Sequence, residues 1–346
     1  MRNAPTPAPH STNASSPLAG WTQDILGPDF EQRTLPLGET GPATLVRYRP
    51  RDEPVIDDLA ADADVLYIHG WSDYFFQTKL ARFWHRHGAR FYALDLHCYG
   101  RSLRPGQNPG FVTDLGEYDA DIEAALTAMH QGANQTGNRP LILLGHSTGG
   151  LTFSSWAHRH PGRASALVLN SPWLEFQGAE LGRRTIAPIV QARARKHPLA
   201  PFPAVDTGIY SRAVSSAFDG AWTYNTQWRP ERGFPVTPAF LNAVFQAQAN
   251  LTAGFSIECP VLVLLSTQDY LQPRWSDSAM ESDVALNVNA VAHRALSLGD
   301  NVTVVRIPHA MHDIFLSSDP VRAKAYGRIE WWLNGYGKPP PKVDNP

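Results

Sequence analysis

Short apolar runs recur along the chain and constrain its fold more than any other sequence feature. Six of them consist mostly of β-branched residues and leucine and do not alternate with polar residues. They are Val65–Ile68, Arg90–Leu94, Pro140–Leu144, Ala166–Leu169, Pro260–Leu265 and Val302–Ile307. Such runs are typical of strands that are buried on both faces, as in a parallel sheet covered by helices.

Stretches with helical periodicity separate most of these runs. They are Phe76–His87, Asp114–His130, Gly149–His160, Ser282–Leu298 and Pro320–Leu333. Asp114 and Ser282 are placed as the N-terminal caps of their helices. Glu31–Leu37 and Ala43–Arg49 alternate in polarity around a glycine-containing turn, which predicts an antiparallel hairpin. Strands that alternate with helices predict an α/β fold with a mostly parallel central sheet flanked by helices.

Residues 172–257 interrupt this order, because the stretch is too long for a crossover and is rich in proline, arginine and aromatic residues. We predict a cap or lid insert there, after the sixth strand of an α/β core formed by residues 21–171 and 258–337. The two ends, residues 1–20 and 338–346, are polar and rich in proline, which predicts a flexible leader and a flexible tail.

The composition excludes several classes of protein. Thirty Lys and Arg against 32 Asp and Glu give a net charge of −2, so a nucleic-acid partner is not expected. Cys98 and Cys259, the only cysteines, are far apart and lie in no close-spaced ligand pattern, which argues against a disulfide framework and a zinc site. No apolar run approaches the roughly 18 to 20 residues of a membrane span, and residues 1–20 lack an apolar secretory signal. A cytoplasmic location is therefore expected.

A candidate nucleophile follows the third of the apolar runs. Leu141–Leu144 leads into Gly145-His-Ser147-Thr-Gly149, and a predicted helix begins at the last glycine. Glycines suit a sharp turn between a strand and a helix, because both backbones crowd the serine. The serine hydroxyl then projects at the amino end of a helix, where backbone N–H groups favour a developing negative charge. The pattern predicts that Ser147 is a nucleophile.

An activated serine needs a base, and the base needs a carboxylate that fixes its tautomer. Asp269 lies just past the run Pro260–Leu265, and His312 lies past Val302–Ile307. Both positions are carboxyl ends of predicted parallel strands, where such sheets build their sites. We therefore predict Asp269 as the acid and His312 as the base, over the competitors Asp277 and His309. Three further strand-end histidines, His69, His97 and His146, are interpreted as structural hydrogen-bonding residues.

An oxyanion hole requires two N–H donors, one from the residue after the nucleophile and one from the loop after the third strand. Thr148 supplies the first. The run Val65–Ile68 ends at His69-Gly70, so the backbone N–H of Trp71 is the candidate for the second.

Several motifs together resemble the α/β-hydrolase superfamily. They are His69-Gly70, Asp95–Ser102 (DLHCYGRS), Gly145–Gly150 (GHSTGG), Asp269 and His312. Within it, the sequence is most similar to the monoacylglycerol lipase and lysophospholipase branch, which is grouped with the serine aminopeptidase family. Two departures stand out: Tyr99 replaces the first glycine of a Gly-x-Gly-x-Ser motif, and Trp71–Tyr74 replaces a longer histidine-containing loop.

The resemblance implies an esterase or lipase that forms an acyl-enzyme and needs no metal or organic cofactor. A monoacylglycerol or a lysophospholipid is the expected substrate. A peptidase or thioesterase would use the same triad, and a catalytically silent binding protein could keep the fold. The aromatic residues of the insert either line an acyl-chain groove or pack the insert on the core. The basic residues of the range Arg183–Lys196 either form a solvated helix face or contact a lipid head group or membrane surface transiently. The oligomeric state is left open.

Overall fold

The computed structural model describes residues 20–130, 139–202 and 207–336. Residues 1–19 of the predicted leader and all of the predicted tail lie outside the described residues. Among the described residues, no helix is both long enough and apolar enough to cross a bilayer. The expected cytoplasmic location and the division into core and cap stay predictions.

Nine strands of the described residues form one sheet. They are β1 (Thr22–Asp24), β2 (Gly27–Pro36), β3 (Pro42–Tyr48), β4 (Asp64–Ile68), β5 (Arg90–Asp95), β6 (Leu141–His146), β7 (Ala166–Asn170), β8 (Val261–Ser266) and β9 (Val302–Ile307). Their order in the sheet is β1-β2-β3-β5-β4-β6-β7-β8-β9. The first three strands pair in antiparallel fashion, β3 pairs antiparallel with β5, and the strands from β4 to β9 are parallel.

The α-helices of the described residues alternate with the later strands. They are α1 (Thr78–Arg86), α2 (Asp119–Ala128), α3 (Thr148–Arg159), α4 (Ala179–Lys196), α5 (Ile209–Val214), α6 (Pro238–Thr252), α7 (Val288–Ala295) and α8 (Asp319–Tyr336). Helices α4, α5 and α6 all lie between β7 and β8. We call residues 172–257, which contain them, the β7–β8 segment.

Both faces of the central sheet are buried, as the unbroken apolar runs predict. Leu66 and Ile68 of β4 pack with Trp156 of α3 on one face. Val65 and Tyr67 pack on the other face with residues of α1 and α8. Successive residues of a strand point to opposite faces, so burial on both faces requires every residue of the run to be apolar. The α/β fold predicted from the sequence is confirmed.

Two elements differ from the predictions. The short strand β1 was not predicted, so the strand that precedes the β7–β8 segment is the seventh and not the sixth. The predicted helix Ser282–Leu298 is too long: α7 begins at Val288, and Asn287 caps it by accepting a hydrogen bond from the N–H of Ala290 at 2.9 Å. Residues before Asn287 are therefore free to adopt a non-helical path.

The β7–β8 segment packs on the core through aromatic side chains. Trp222 contacts the ring of Phe76 and donates from Nε1 to the carbonyl of Leu316 at 2.8 Å. Phe240 of α6 is fully buried in the same core as α3. The expectation that these aromatics pack the segment on the sheet is met at these positions.

The close approach of β6 to α3 gives a test of the fold. An added Cβ at Gly145 would lie 2.6 Å from the carbonyl oxygen of Gly149 and 2.6 Å from Cα of Gly150, and neither backbone can move aside. We expect Gly145→Ala to lower the free energy of unfolding by about 3 kcal/mol or more, as overpacking does. Gly327→Ala at an exposed position of α8, where nothing lies within 4 Å of an added Cβ, should instead raise it by about 0.5 to 1 kcal/mol. Urea unfolding of both variants measures this. Equal midpoints would contradict the tight turn.

Candidate active site

Ser147 forms the turn between β6 and α3 by itself. Its backbone has φ 51° and ψ −116°, a conformation with positive φ that residues other than glycine rarely adopt. Four backbone hydrogen bonds hold it: its N–H donates to the carbonyl of Asn170 at 3.0 Å, and its carbonyl accepts from the N–H groups of Gly150, Leu151 and Trp173 at 3.0, 3.3 and 2.9 Å. The strained turn is therefore fixed from β7 as well as from α3.

Three buried side chains form a hydrogen-bonded chain at this turn. His312 Nε2 lies 3.0 Å from Ser147 Oγ, and His312 Nδ1 lies 3.0 Å from Asp283 Oδ2. Their exposed fractions are 7% for Ser147, 4% for His312 and 0% for Asp283. Such an arrangement can activate a hydroxyl, because the imidazole accepts the hydroxyl proton and the carboxylate stabilises the resulting cation.

The position of the carboxylate differs from the sequence prediction. Asp269, predicted as the acid, does not contact His312 in this structure. Its Oδ2 accepts a hydrogen bond at 3.2 Å from the N–H of Val288, the first residue of α7. The assignment of Asp269 to His312 is therefore wrong, and Asp283 takes that place.

Backbone pairing explains how Asp283 reaches the end of β8. It forms an isolated parallel bridge with Asp269, in which its N–H donates to Gln268 and its carbonyl accepts from Tyr270. Its Oδ1 accepts two backbone N–H groups, from Ala285 and Leu286, each at 2.8 Å, which fixes the carboxylate. Asp283 is not predicted by the sequence pattern, because that pattern places it in a helix capped by Ser282. The sequence signal that could have found it is Asn287, a second candidate N-cap five positions after Ser282, which predicts a later start of the helix.

The competing residues lie elsewhere. His309 is exposed, and its Nδ1 lies 2.9 Å from Glu281. Asp277 is also exposed and begins a short 3-10 turn. His69 and His97 are buried and hydrogen-bonded. His69 Nε2 accepts from the N–H of Leu96 at 3.2 Å, and His97 Nδ1 lies 2.8 Å from Asp121 Oδ2.

The two predicted oxyanion donors lie on chain segments that border Ser147. Thr148 is the first residue of α3, so its N–H has no acceptor within the helix. A Cβ built on Gly70 would lie 3.0 Å from the Cβ of Ser147, which shows how closely the loop after β4 passes the serine. Trp71 follows this glycine, and its ring packs on Phe240 at a centroid distance of 3.8 Å.

Asp313, the residue after His312, anchors the histidine loop. Its Oδ1 accepts from Asn170 Nδ2 at 2.7 Å and from the N–H of Phe315 at 3.0 Å, and its Oδ2 accepts from Gln77 Nε2 at 2.9 Å. These bonds connect the loop after β9 to the end of β7 and to the start of α1. His312 therefore cannot shift without breaking bonds to two other elements.

Among the described residues, Asp73, His146 and Asp313 are the group whose ligand atoms could share a metal ion, all within 4.8 Å of one another. Their other contacts do not suit a cation. Arg229 Nε lies 3.2 Å from Asp73 Oδ1, and burial raises the pKa of Asp73 to about 7. The guanidinium would repel a metal ion at this carboxylate. Asp73 is instead held by the ion pair with Arg229, and Asp313 by its hydrogen bonds to Asn170 and Gln77.

Comparison with known proteins agrees with this geometry. A model of the family described as "Serine aminopeptidase, S33" matches residues 60–319. The chain belongs to this family. The match confirms the resemblance to an α/β-hydrolase of the serine aminopeptidase family that the motifs carry.

Relatives of this hydrolase chain match in different parts. A monoacylglycerol lipase of Mycolicibacterium smegmatis is 33% identical over 123 residues, which are 34% of this chain and 42% of that protein. A pimeloyl-[acyl-carrier protein] methyl ester esterase of Chromobacterium violaceum is 27% identical over 283 residues, 78% of this chain and 96% of that protein. The chain thus spans less than half of the first relative and nearly all of the second.

Solved structures share the fold. A soluble variant of monoglyceride lipase from Saccharomyces cerevisiae gives a TM-score of 0.63 at 17% identity, over 91% of this chain and 99% of that one. A carboxyl esterase from Bacillus coagulans gives 0.60 at 14% identity, over 90% and 99%.

The buried histidine beside the site gives a prediction for stability. Burial lowers the pKa of His146 to about 4, against an ordinary value of 6.5. Its Nδ1–H donates a hydrogen bond to the carbonyl of Asn170 at 3.1 Å. A lowered pKa means that stability is lost as the pH falls, because the unfolded ring takes up a proton that the folded ring rejects. His146→Asn keeps a donor N–H without a titrating group. Between pH 7 and pH 5, the wild type should lose about 2 kcal/mol more than this variant.

Urea unfolding of the wild type and His146→Asn at both pH values measures this difference. Parallel losses in the two proteins would show that His146 does not carry the pH dependence.

Proposed function

We propose that the protein is a serine ester hydrolase that works through an acyl-enzyme, with Ser147 as nucleophile, His312 as base and Asp283 as the supporting acid. The observation that carries the proposal is the buried chain of two 3.0 Å contacts from Asp283 through His312 to Ser147. A serine hydroxyl becomes a strong nucleophile only when such a base removes its proton.

In the first half of the reaction, Ser147 Oγ attacks the ester carbonyl carbon while His312 Nε2 takes the hydroxyl proton. The C–O bond to the leaving group then breaks, and His312 gives its proton to the departing alkoxide. Water repeats both steps on the acyl-enzyme and releases the acid. Asp283 holds the imidazole through Nδ1 and stabilises the imidazolium, and the two backbone N–H groups from which it accepts hydrogen bonds keep the carboxylate oriented.

The N–H groups of Thr148 and Trp71 are proposed as the oxyanion donors. Support comes from the position of Thr148 at the start of α3 and from the close passage of Gly70 along Ser147. Loss of one such donor costs about 10²- to 10³-fold in turnover.

A monoacylglycerol or lysophospholipid is the proposed substrate, and the β7–β8 segment is the proposed cap. The names of the M. smegmatis and S. cerevisiae relatives support an acylglycerol. Apolar rings border the site: Trp71 packs on Phe240, and Tyr210 of α5 packs edge-on against His312 at 5.5 Å. Such rings suit an acyl chain, which gains about 25 cal/mol per Å² of buried apolar surface.

The basic residues of α4 do not form one surface. Arg183 is buried and paired with Glu175 at 2.9 Å, whereas Arg184, Arg195 and Lys196 are exposed. The exposed cations, with exposed Leu181 on the same helix, support transient contact with an anionic lipid surface.

Variants of Asp283 and Asp269 test which of the two aspartates supports His312. We expect Asp283→Asn to lower kcat for p-nitrophenyl acetate by about 10³- to 10⁴-fold, because the amide cannot hold the imidazole in the required tautomer. Asp269→Asn removes only an acceptor at the start of α7 and should change kcat less than about threefold. Ser147→Ala serves as the inactive reference. A larger loss in Asp269→Asn than in Asp283→Asn would refute the assignment.

The substrate class is tested by hydrolysis of p-nitrophenyl esters from two to sixteen carbons, followed by 1-monoacylglycerol, lysophosphatidylcholine, acyl-thioester and aminoacyl-amide substrates. We expect kcat/KM to rise with acyl length, since each buried methylene contributes about 0.8 kcal/mol, and to be highest on monoacyl lipids. A fluorophosphonate probe should label the wild type and not Ser147→Ala. Highest activity on the amide would favour a peptidase, highest activity on the thioester a thioesterase, and absence of labelling a silent binding protein.

A further inference from the structure

Four consecutive residues next to the nucleophile, Trp71 to Tyr74, are each held by the β7–β8 segment. We call them the 71–74 loop. The contacts are the Trp71 ring on the Phe240 ring at 3.8 Å, the Phe234 N–H to Ser72 Oγ at 2.9 Å, Arg229 Nε to Asp73 Oδ1 at 3.2 Å, and the Asn225 N–H to Tyr74 Oη at 2.7 Å. The backbone N–H of Trp71, the proposed oxyanion donor, therefore begins a loop whose side chains all depend on another part of the chain.

The 71–74 loop is strained where it leaves the site. Ser72 has φ 52°, in the left-handed region that disfavours residues with a Cβ. Such a conformation persists only when its surroundings over-determine it. Ser72 Oγ accepts a hydrogen bond from the β7–β8 segment, and Asp95 Oδ1 holds the far end of the loop through the N–H of Phe75 at 3.0 Å.

The ion pair between Asp73 and Arg229 is the most demanding of the four contacts. Both side chains are buried, with exposed fractions of 4% and 3%. Arg229 lies between the rings of Tyr210 and Tyr224, with its Cζ 4.8 and 4.6 Å from their centroids. A buried charge separated from its partner is strongly unfavourable. Arg229 therefore strongly favours one position of the β7–β8 segment over the 71–74 loop.

The same part of the segment reaches the base. Tyr210, which packs on Arg229, also packs on His312. One short stretch of the β7–β8 segment thus contacts both the histidine and the loop of the proposed oxyanion donor.

We propose that Arg229 is a positioning residue: through Asp73, the β7–β8 segment holds the strained 71–74 loop so that the Trp71 N–H faces the developing oxyanion. This inference rests on the proposed function. A Cβ built on Gly70 would lie 3.0 Å from the Cβ of Ser147, so the residue before Trp71 lies close to the nucleophile and a shift of the loop moves the donor relative to it. A donor that acts on the transition state changes kcat more than KM when it is misplaced.

The first experiment measures kcat and KM for p-nitrophenyl acetate in Arg229→Met, Asp73→Asn and the double variant. We expect kcat to fall about 10- to 100-fold in each, with KM changed less than about threefold, and the double variant to resemble the singles because all three break one contact. The matched control is Arg183→Met, which removes another buried arginine of the same segment from its ion pair with Glu175. Its kcat should stay within about twofold of the wild type, at a temperature where circular dichroism shows every variant folded.

The second experiment separates loop geometry from stability. Ser72→Gly and Ser72→Ala both lose the hydrogen bond from Phe234, but only glycine adopts φ 52° without strain. We expect Ser72→Gly to keep at least fivefold more of the wild-type kcat than Ser72→Ala.

Equal kcat values for Arg229→Met and Arg183→Met, or effects confined to KM, would overturn the positioning role while leaving the ester hydrolase intact. Equal kcat values for the two Ser72 variants would also overturn it. A wild type that hydrolyses no ester and is not labelled by a fluorophosphonate would overturn the proposed function and this inference together.

Discussion

The one-residue turn at Ser147 is the constraint on which the site depends. β6 lies in the middle of the parallel strands, between β4 and β7, so the loops that leave these two neighbours end beside the serine. The turn requires close backbone contacts on both sides: Gly145 approaches Gly149 and Gly150, and Asn170 of β7 accepts the Ser147 N–H. His312 and Asp283 come from the segments that follow β9 and β8, further along the same parallel half of the sheet.

Most of the sheet could be predicted because strands buried on both faces require unbroken apolar sequence. The runs from Val65–Ile68 to Val302–Ile307 match β4 to β9 within two residues at each end. β1 could not be found in this way, since Thr22–Asp24 is polar and is held by pairing with β2 and by Arg101, which binds the buried Asp24. Within the β7–β8 segment, proline and arginine hide the helical pattern: α4 contains Pro188 and a buried arginine.

The site residues that could be predicted are those that local sequence specifies. Ser147 is specified by its glycines, and His312 by its distance from the end of β9. The position of the proposed acid depends on a backbone bridge between Asp269 and Asp283, which forms only when the loop after β8 folds back on itself. Both aspartates lie near a strand end in sequence or in space, and only the tertiary pairing decides which one faces the histidine. The ion pair of Asp73 with Arg229 could not be predicted from the sequence either, because the two residues lie on different elements far apart in the chain.

The β7–β8 segment contacts the site at both sides. At its start, Gln177 Nε2 donates at 2.9 Å to the carbonyl of Ala285, whose N–H binds Asp283. Glu175 pairs with Arg294 of α7 at 2.8 Å. Further along, Arg229 holds the 71–74 loop.

Aromatic and aliphatic side chains pack the β7–β8 segment on the core, but apolar surfaces are non-directional and discriminate weakly between nearby positions. A buried ion pair adds little net stability compared with an apolar replacement, yet it is costly to separate. We infer that the buried pair of Arg229 with Asp73 fixes where the segment lies over the 71–74 loop, and that the position of the segment therefore affects the proposed oxyanion donor.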